Sequence, residues 1–125
     1  MTRTLLFVGL FGVVGVFCRW GLDGLFLRWL PGFPSGILLA NFLGSTLAGV
    51  VYALGIAKTA VPGPLAIGLL VGLCGGFTTF SAYALQSLLF LEKGEWLRAL
   101  VYFGGSPVIG LSGAWLGVTV GRLAS

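Results

Sequence analysis

From Thr59 to Leu91 the chain runs 33 residues without a charged side chain. As one helix rising ~1.5 Å per residue, that stretch would measure roughly 50 Å, well beyond the ~30 Å hydrocarbon core of a bilayer. In lipid, backbone polar groups must bond to themselves, to protein or to water in a cavity. Yet the middle of the stretch reads Gly75-Gly76-Phe77-Thr78-Thr79-Phe80-Ser81-Ala82-Tyr83, with two glycines, two threonines and a serine amid apolar neighbours. Pro62 and Pro64 assign the first residues to a loop, and the spare length leaves room for a helix break near Gly75-Gly76. A break frees carbonyls and amides, which at half-helix ends coordinate ions in transport proteins. A glycine kink at a helix crossing, with Thr78, Thr79 and Ser81 bonding back to the preceding turn, fits the same residues.

Composition sets the solvent. Of 125 residues, 58% are hydrophobic and 8% charged, and the mean hydropathy is +1.08. A water-soluble domain of this size could not hide so much apolar surface. The charges divide the chain into four apolar segments, predicted as membrane helices near 4–29, 33–57, 62–91 and 95–122. The expectation is an all-α membrane protein forming one four-helix transmembrane domain over 1–125. Short connections at 31–34, 58–64 and 92–95 impose an up-down-up-down path with both termini on one side. Arg3 ahead of the first segment imitates a secretory signal, but that segment is long and contains Arg19, so it is expected to be retained.

On this topology one side carries Arg3, Lys58 and Arg122, and the other Arg28, Lys93 and Arg98. The tie leaves no Lys/Arg bias to orient the chain. It fits chance in a charge-poor chain, and equally dual topology, in which copies insert both ways and pair antiparallel. The net charge of +4 is scattered in ones and twos and forms no nucleic-acid patch. Cys18 and Cys74 both fall in membrane segments and are expected as two buried thiols. The chain has no histidine, and so no cluster suited to a transition metal.

Helices associate in lipid through close packing of small residues. Gly113, Gly117 and Gly121 in the fourth segment, Gly68 and Gly72 in the third, Ser45 and Gly49 in the second, and Gly9, Gly12 and Gly15 in the first supply such faces. Three polar or aromatic features are not accounted for by packing faces. Phe80 and Tyr83 share a helix face, either as ordinary packing or as ring edges, which carry the positive lobe of the quadrupole, lining an anion path. Asn41 either bonds across a helix interface or offers its NH₂ to a passing anion. Arg19, inside the first helix, is either functional or the ion-pair partner of Asp23, one turn later.

Together these residues resemble the Fluc (CrcB) family of fluoride channels. Gly-Gly-Phe-Thr-Thr-Phe-Ser at 75–81 is similar to that family's Gly-Gly-x-Thr-Thr-Phe-Ser signature, Asn41-Phe42-Leu43-Gly44 to its Asn-x-x-Gly element, and Arg19-Trp20 to its Arg-Trp pair. The resemblance covers essentially the whole chain. It implies an antiparallel, dual-topology homodimer in a bacterial inner membrane, with two pores that passively export cytoplasmic fluoride. It also implies a structural sodium ion at the dimer centre, held by the Gly75 and Thr78 carbonyls. Asn41, Phe80 and Tyr83 would line the pore with the hydroxyls of Thr79 and Ser81. Tyr102 and Ser106 would form a hydroxyl track on the fourth helix, and Arg19 would face a vestibule. Tyr83 departs from the phenylalanine usual in the family, so its hydroxyl could donate to fluoride, point into the vestibule, or narrow the path.

Two other functions fit a small four-helix membrane chain. A multidrug-type exporter needs a membrane-embedded carboxylate to exchange protons for a cationic drug. The only acids here are Asp23, near a helix end, and Glu92 and Glu95 in a connection. A structural membrane subunit would use the glycine faces but leave Asn41 and the 75–81 run without a purpose. No phosphate-binding loop and no nucleophile–base pair point to an energy-coupled transporter or an enzyme.

Overall fold

A computed structural model describes residues 1–124, and among these every regular element is helical. Helix α1 spans Thr2–Trp29 and α2 Ser35–Val51. The second span continues in wider, π-type winding over Tyr52–Ala57. The third begins as α3, Gly63–Ile67, widens into a π-type stretch over Gly68–Cys74, and returns to α geometry in α4, Gly75–Phe77. Helix α5 covers Phe80–Glu92 and α6 Trp96–Leu123. Among the described residues four stretches are long and apolar enough to cross a membrane: Thr2–Trp29, Ser35–Ala57, Gly63–Glu92 and Trp96–Leu123. Each lies within two residues of the boundary drawn from the apolar segments.

The connections use the backbone chemistry that ends helices. Gly32 and Gly94 adopt positive φ of 92° and 74°, a region that costs glycine nothing. Pro34 and Pro62 stand immediately before α2 and α3. Lys58, closing the second span, donates from Nζ to the Arg122 carbonyl at 2.7 Å. Arg98, opening α6, reaches the Gly32 carbonyl at 3.3 Å. The second and fourth spans therefore run the same way, as an up-down-up-down path requires.

Close glycine contacts join the spans, backbone to backbone, at two long crossings among others. A Cβ added at Gly117 would collide with the Thr46 carbonyl, and one at Gly113 would stand 2.8 Å from the Phe42 carbonyl, so α6 lies backbone to backbone on α2. On the other side, a Cβ on Gly72 would meet the Val8 carbonyl at 2.6 Å, and one on Gly15 the Phe77 nitrogen at 2.9 Å. Glycine is required at these crossings because any side chain would push the helices apart. Gly9 differs, having open space around it. The three-residue spacing in α1 rotates it off the face that carries Gly12 and Gly15.

Much of α1 is left uncovered, with Leu5, Leu10, Phe17 and Trp20 exposed. Cys18 lies there too and is exposed, which corrects the expectation of two buried thiols; Cys74, inside the third span, is buried. Between the start of α2, the end of α5 and the start of α6, Phe33, Phe90 and Tyr102 form an aromatic cluster. Tyr102 meets Phe33 and Phe90 edge-on at 5.7 and 5.9 Å.

Candidate ion pathway

The third span changes backbone conformation at its two adjacent threonines, three residues beyond the expected point, since Gly75 and Gly76 stay helical. Thr78 and Thr79 are extended, with φ/ψ of −92°/156° and −148°/123°, between helical Phe77 and helical Phe80. Each threonine solves a local hydrogen-bonding problem. Thr78 ends the first part, its backbone N–H and hydroxyl both donating to the Cys74 carbonyl at 3.0 and 2.9 Å. Thr79 starts the next part as an N-cap residue, its hydroxyl accepting from the Ala82 amide at 3.2 Å. The Ser81 hydroxyl is 3.3 Å from the same oxygen.

The remaining backbone groups at Thr79 are met by Asn41. The Thr79 N–H donates to Oδ1 at 2.8 Å, and Nδ2 donates to the Thr79 carbonyl at 3.2 Å. One carboxamide thus satisfies both the donor and the acceptor of a residue that has left the helix, as membrane burial demands. Three residues further along α2, a Cβ on Gly44 would overlap the Thr78 Cγ2 methyl. The Asn41-x-x-Gly44 spacing thereby acts as one device, in which Asn41 holds Thr79 and Gly44 makes room for Thr78.

A crevice of about 330 Å³ opens at this point, lined chiefly by Asn41, Thr78, Thr79, Phe80, Tyr83 and Ser106. Ser45, Pro107 and Gly110 complete it. None of these residues is charged. One hydrogen of the Asn41 NH₂ is spent on Thr79, leaving the second available. Ser106 is 6% exposed, and its hydroxyl oxygen is buried with no partner among the described residues. Phe80 is 76% exposed at the open edge, with its ring 5.4 Å from that of Tyr83 at an interplanar angle of 67°. The Tyr83 hydroxyl is engaged, donating to the Phe103 carbonyl at 2.9 Å.

The other residues singled out from sequence lie away from the crevice lining. Arg19 donates from Nε to the Gly76 carbonyl at 3.2 Å, bracing α4 from α1, while Asp23 Oδ1 has no hydrogen-bond partner among the described residues. Tyr102 is 0% exposed within the aromatic cluster, its hydroxyl likewise unpartnered there. Ser81 and Gly75 are exposed. Ser45, Pro107 and Gly110 were not among the residues picked out as lining. A signal for two of them was present, since Ser45 is one turn beyond Asn41 and Gly110 one turn beyond Ser106.

Four apolar spans, three of which line an uncharged crevice at two extended residues, define a small multi-pass membrane protein. Residues 6–118 match the family model described as "CrcB-like protein, Camphor Resistance (CrcB)", and the chain belongs to that family. It is 43% identical over 122 residues to a protein of Paracoccus denitrificans, covering 98% of this chain and 97% of the relative. Identity to a protein of Nitratidesulfovibrio vulgaris is 39% over 122 residues, covering 97% and 98%. A protein of Pseudomonas syringae pv. tomato is 36% identical over 124 residues, covering 98% and 100%. Each of these relatives is named "Fluoride-specific ion channel FluC".

Proposed function

We propose that the chain is a fluoride-selective channel through which the anion leaves the cytoplasm passively. The observation that carries this reading is the uncharged crevice at Thr78-Thr79, in a chain whose near-full-length relatives are named fluoride-specific channels. Fluoride is small and strongly hydrated, so a selective path must replace its water with close, fixed donors. The second Asn41 N–H and the Ser106 hydroxyl are such donors, and the ring edges of Phe80 and Tyr83 supply weaker positive potential. Donors without a full cationic charge hold the ion weakly enough for it to move on, as conduction requires. Thr79 and Ser81 contribute through the cap that fixes the extended backbone. Tyr102 continues the hydroxyl series one turn before Ser106. Arg19, held beside the third span by its bond to the Gly76 carbonyl, lends a positive potential that raises the anion concentration in the vestibule. Hydrogen fluoride that enters the cell dissociates in the less acidic cytoplasm, and the resulting gradient drives the anion out with no other energy source.

The working unit is an antiparallel homodimer with two such paths, inserted in both orientations into the bacterial inner membrane. Supporting this, Phe80 at the crevice edge and Gly75 earlier in the same span are both exposed, and the segment-flanking charges divide evenly between the two sides. A structural sodium ion suits the dimer centre. The Thr79 N–H, which in a continuous helix would serve the Gly75 carbonyl, goes to Asn41 instead, and the extended ψ of Thr78 turns its carbonyl off the helix direction. Two such hard oxygens from each subunit are the donor set an alkali cation accepts. When bound, the ion would hold the two copies together.

Among the described residues no carboxylate lines the crevice, which argues against proton-coupled drug export along this path. The test is ion efflux from liposomes holding the purified protein, with potassium permeability supplied. Rapid fluoride loss with negligible chloride loss is expected. Equal loss of both ions, or of neither from a folded dimer, would overturn the proposal.

A further inference from the structure

Pro107 lies within α6 and lines the crevice. Proline has no N–H, so the carbonyl four residues earlier is deprived of its helical donor. That carbonyl belongs to Phe103, and it is the one to which the Tyr83 hydroxyl donates at 2.9 Å. The tyrosine is 5% exposed, and its ring stacks on that of Phe103 at 5.6 Å and 17°. The same ring stands 5.4 Å from Phe80, so whatever fixes Tyr83 also fixes the aromatic pair at the crevice edge.

A phenol has one proton to donate. While it is committed to Phe103, it cannot be offered to an anion, and Tyr83 presents the crevice with its ring. Were residue 107 able to donate, its own N–H would share the Phe103 carbonyl and draw it back toward the helix, weakening the phenol's bond, although a carbonyl has lone pairs for both. The phenol would then be a more loosely held donor beside the path, more often open to fluoride and able to slow its exit.

We propose that Pro107 is a positioning residue for Tyr83: the carbonyl it vacates on Phe103 captures the tyrosine proton and makes residue 83 act as a ring rather than a hydroxyl. Its consequence for conduction rests on the fluoride-channel reading; the hydrogen bond itself does not. Tyr83 and Pro107 are therefore a matched pair, and each is harmful to change alone.

The test compares Pro107→Ala, Tyr83→Phe and the double variant with the parent protein, reconstituted in liposomes for flux and in detergent with ¹³Cζ-labelled tyrosine for NMR. The three tyrosines are Tyr52, Tyr83 and Tyr102, and the resonance missing from Tyr83→Phe assigns the one of interest. Pro107→Ala is expected to move that resonance as the phenol comes to share its acceptor with a backbone N–H and its bond weakens. It should also lower the fluoride concentration giving half-maximal flux and lower the maximal rate. Tyr83→Phe strands the Phe103 carbonyl and is expected to reduce flux roughly fivefold, the effect of one hydrogen bond of ordinary strength. In the double variant the backbone N–H gained at position 107 serves Phe103 and no phenol is released. Flux then returns to within about twofold of the parent, a strong departure from additivity. An unmoved Tyr83 resonance in Pro107→Ala, or a double variant whose loss is the product of the single losses, overturns the pairing. If the parent conducts no fluoride, the channel reading fails, while the resonance alone still decides whether Pro107 positions Tyr83.

Discussion

Asn41 and Thr79 meet through two hydrogen bonds, with Oδ1 accepting from the Thr79 N–H at 2.8 Å and Nδ2 donating to its carbonyl at 3.2 Å. The contact joins α2 to the point where the third span leaves helical geometry. It makes Asn41 a structural brace for the crevice as well as a donor within it.

Asn41→Ala would leave a membrane-buried amide and carbonyl without partners. Each such group costs about 1–3 kcal/mol, so both thermal stability and fluoride flux are expected to fall. Asn41→Asp retains the acceptor for the Thr79 N–H but sets a carboxylate oxygen against the Thr79 carbonyl. It should therefore recover no flux. Thermal unfolding in detergent, read beside liposome efflux, checks both; an Asn41→Ala protein of unchanged stability would show that the brace is unimportant.

Ser106 is the converse case. Its hydroxyl has no partner to lose among the described residues, so Ser106→Ala should change stability by no more than ~0.5 kcal/mol. Flux should nevertheless drop several-fold, because a donor in the crevice is gone. Unfolding and efflux measured on the same preparation would reveal whether the two quantities part in this way.

Gly44→Ala places a methyl group where Thr78 Cγ2 now lies. The helix bundle should survive, because a small shift of one threonine relieves the clash, but the extended pair must move. Loss of flux is expected with the four spans intact by circular dichroism. Normal conduction would mean that the position of Thr78 is not critical.

The two glycine crossings should be far less forgiving than Gly104 and Gly105 near the start of α6. Gly117→Val would drive a side chain into the Thr46 carbonyl, whereas Gly104 and Gly105 have open space around them. Overpacking of this kind costs ~1–3 kcal/mol or more, so Gly117→Val should lose thermal stability while Gly104→Ala and Gly105→Ala behave as the parent. Size-exclusion profiles and melting temperatures report the difference.

Sodium provides a fifth measurement. If carbonyls of Gly75 and Thr78 hold the ion between two copies, dialysis against a sodium-free buffer with a bulky organic cation should suppress flux and loosen the dimer, and added sodium should restore both. A protein indifferent to sodium would remove the central ion from the proposal.

The spans themselves were legible in the chain because lipid imposes one rule everywhere. A segment without charges must close its backbone bonds internally, and about 20 apolar residues suffice to cross the core. Hence the four stretches fall within two residues of their expected ends, and Gly113 and Gly117 mark the α2–α6 crossing. The run at 75–81 likewise declared itself, since glycines and hydroxyls are costly at that depth without a purpose. Partnerships between distant residues were not legible, because they depend on which helix faces meet. Nothing local to Asn41 says that both ends of its amide serve Thr79, 38 residues away, and nothing local to Arg19 directs it to the Gly76 carbonyl. Pro107 announced a missing donor in α6 by its chemistry alone. Only the packing of α5 against α6 decided that the Tyr83 hydroxyl would supply it, since a hydrogen bond requires two groups within about 3 Å, and that proximity is a property of the folded bundle.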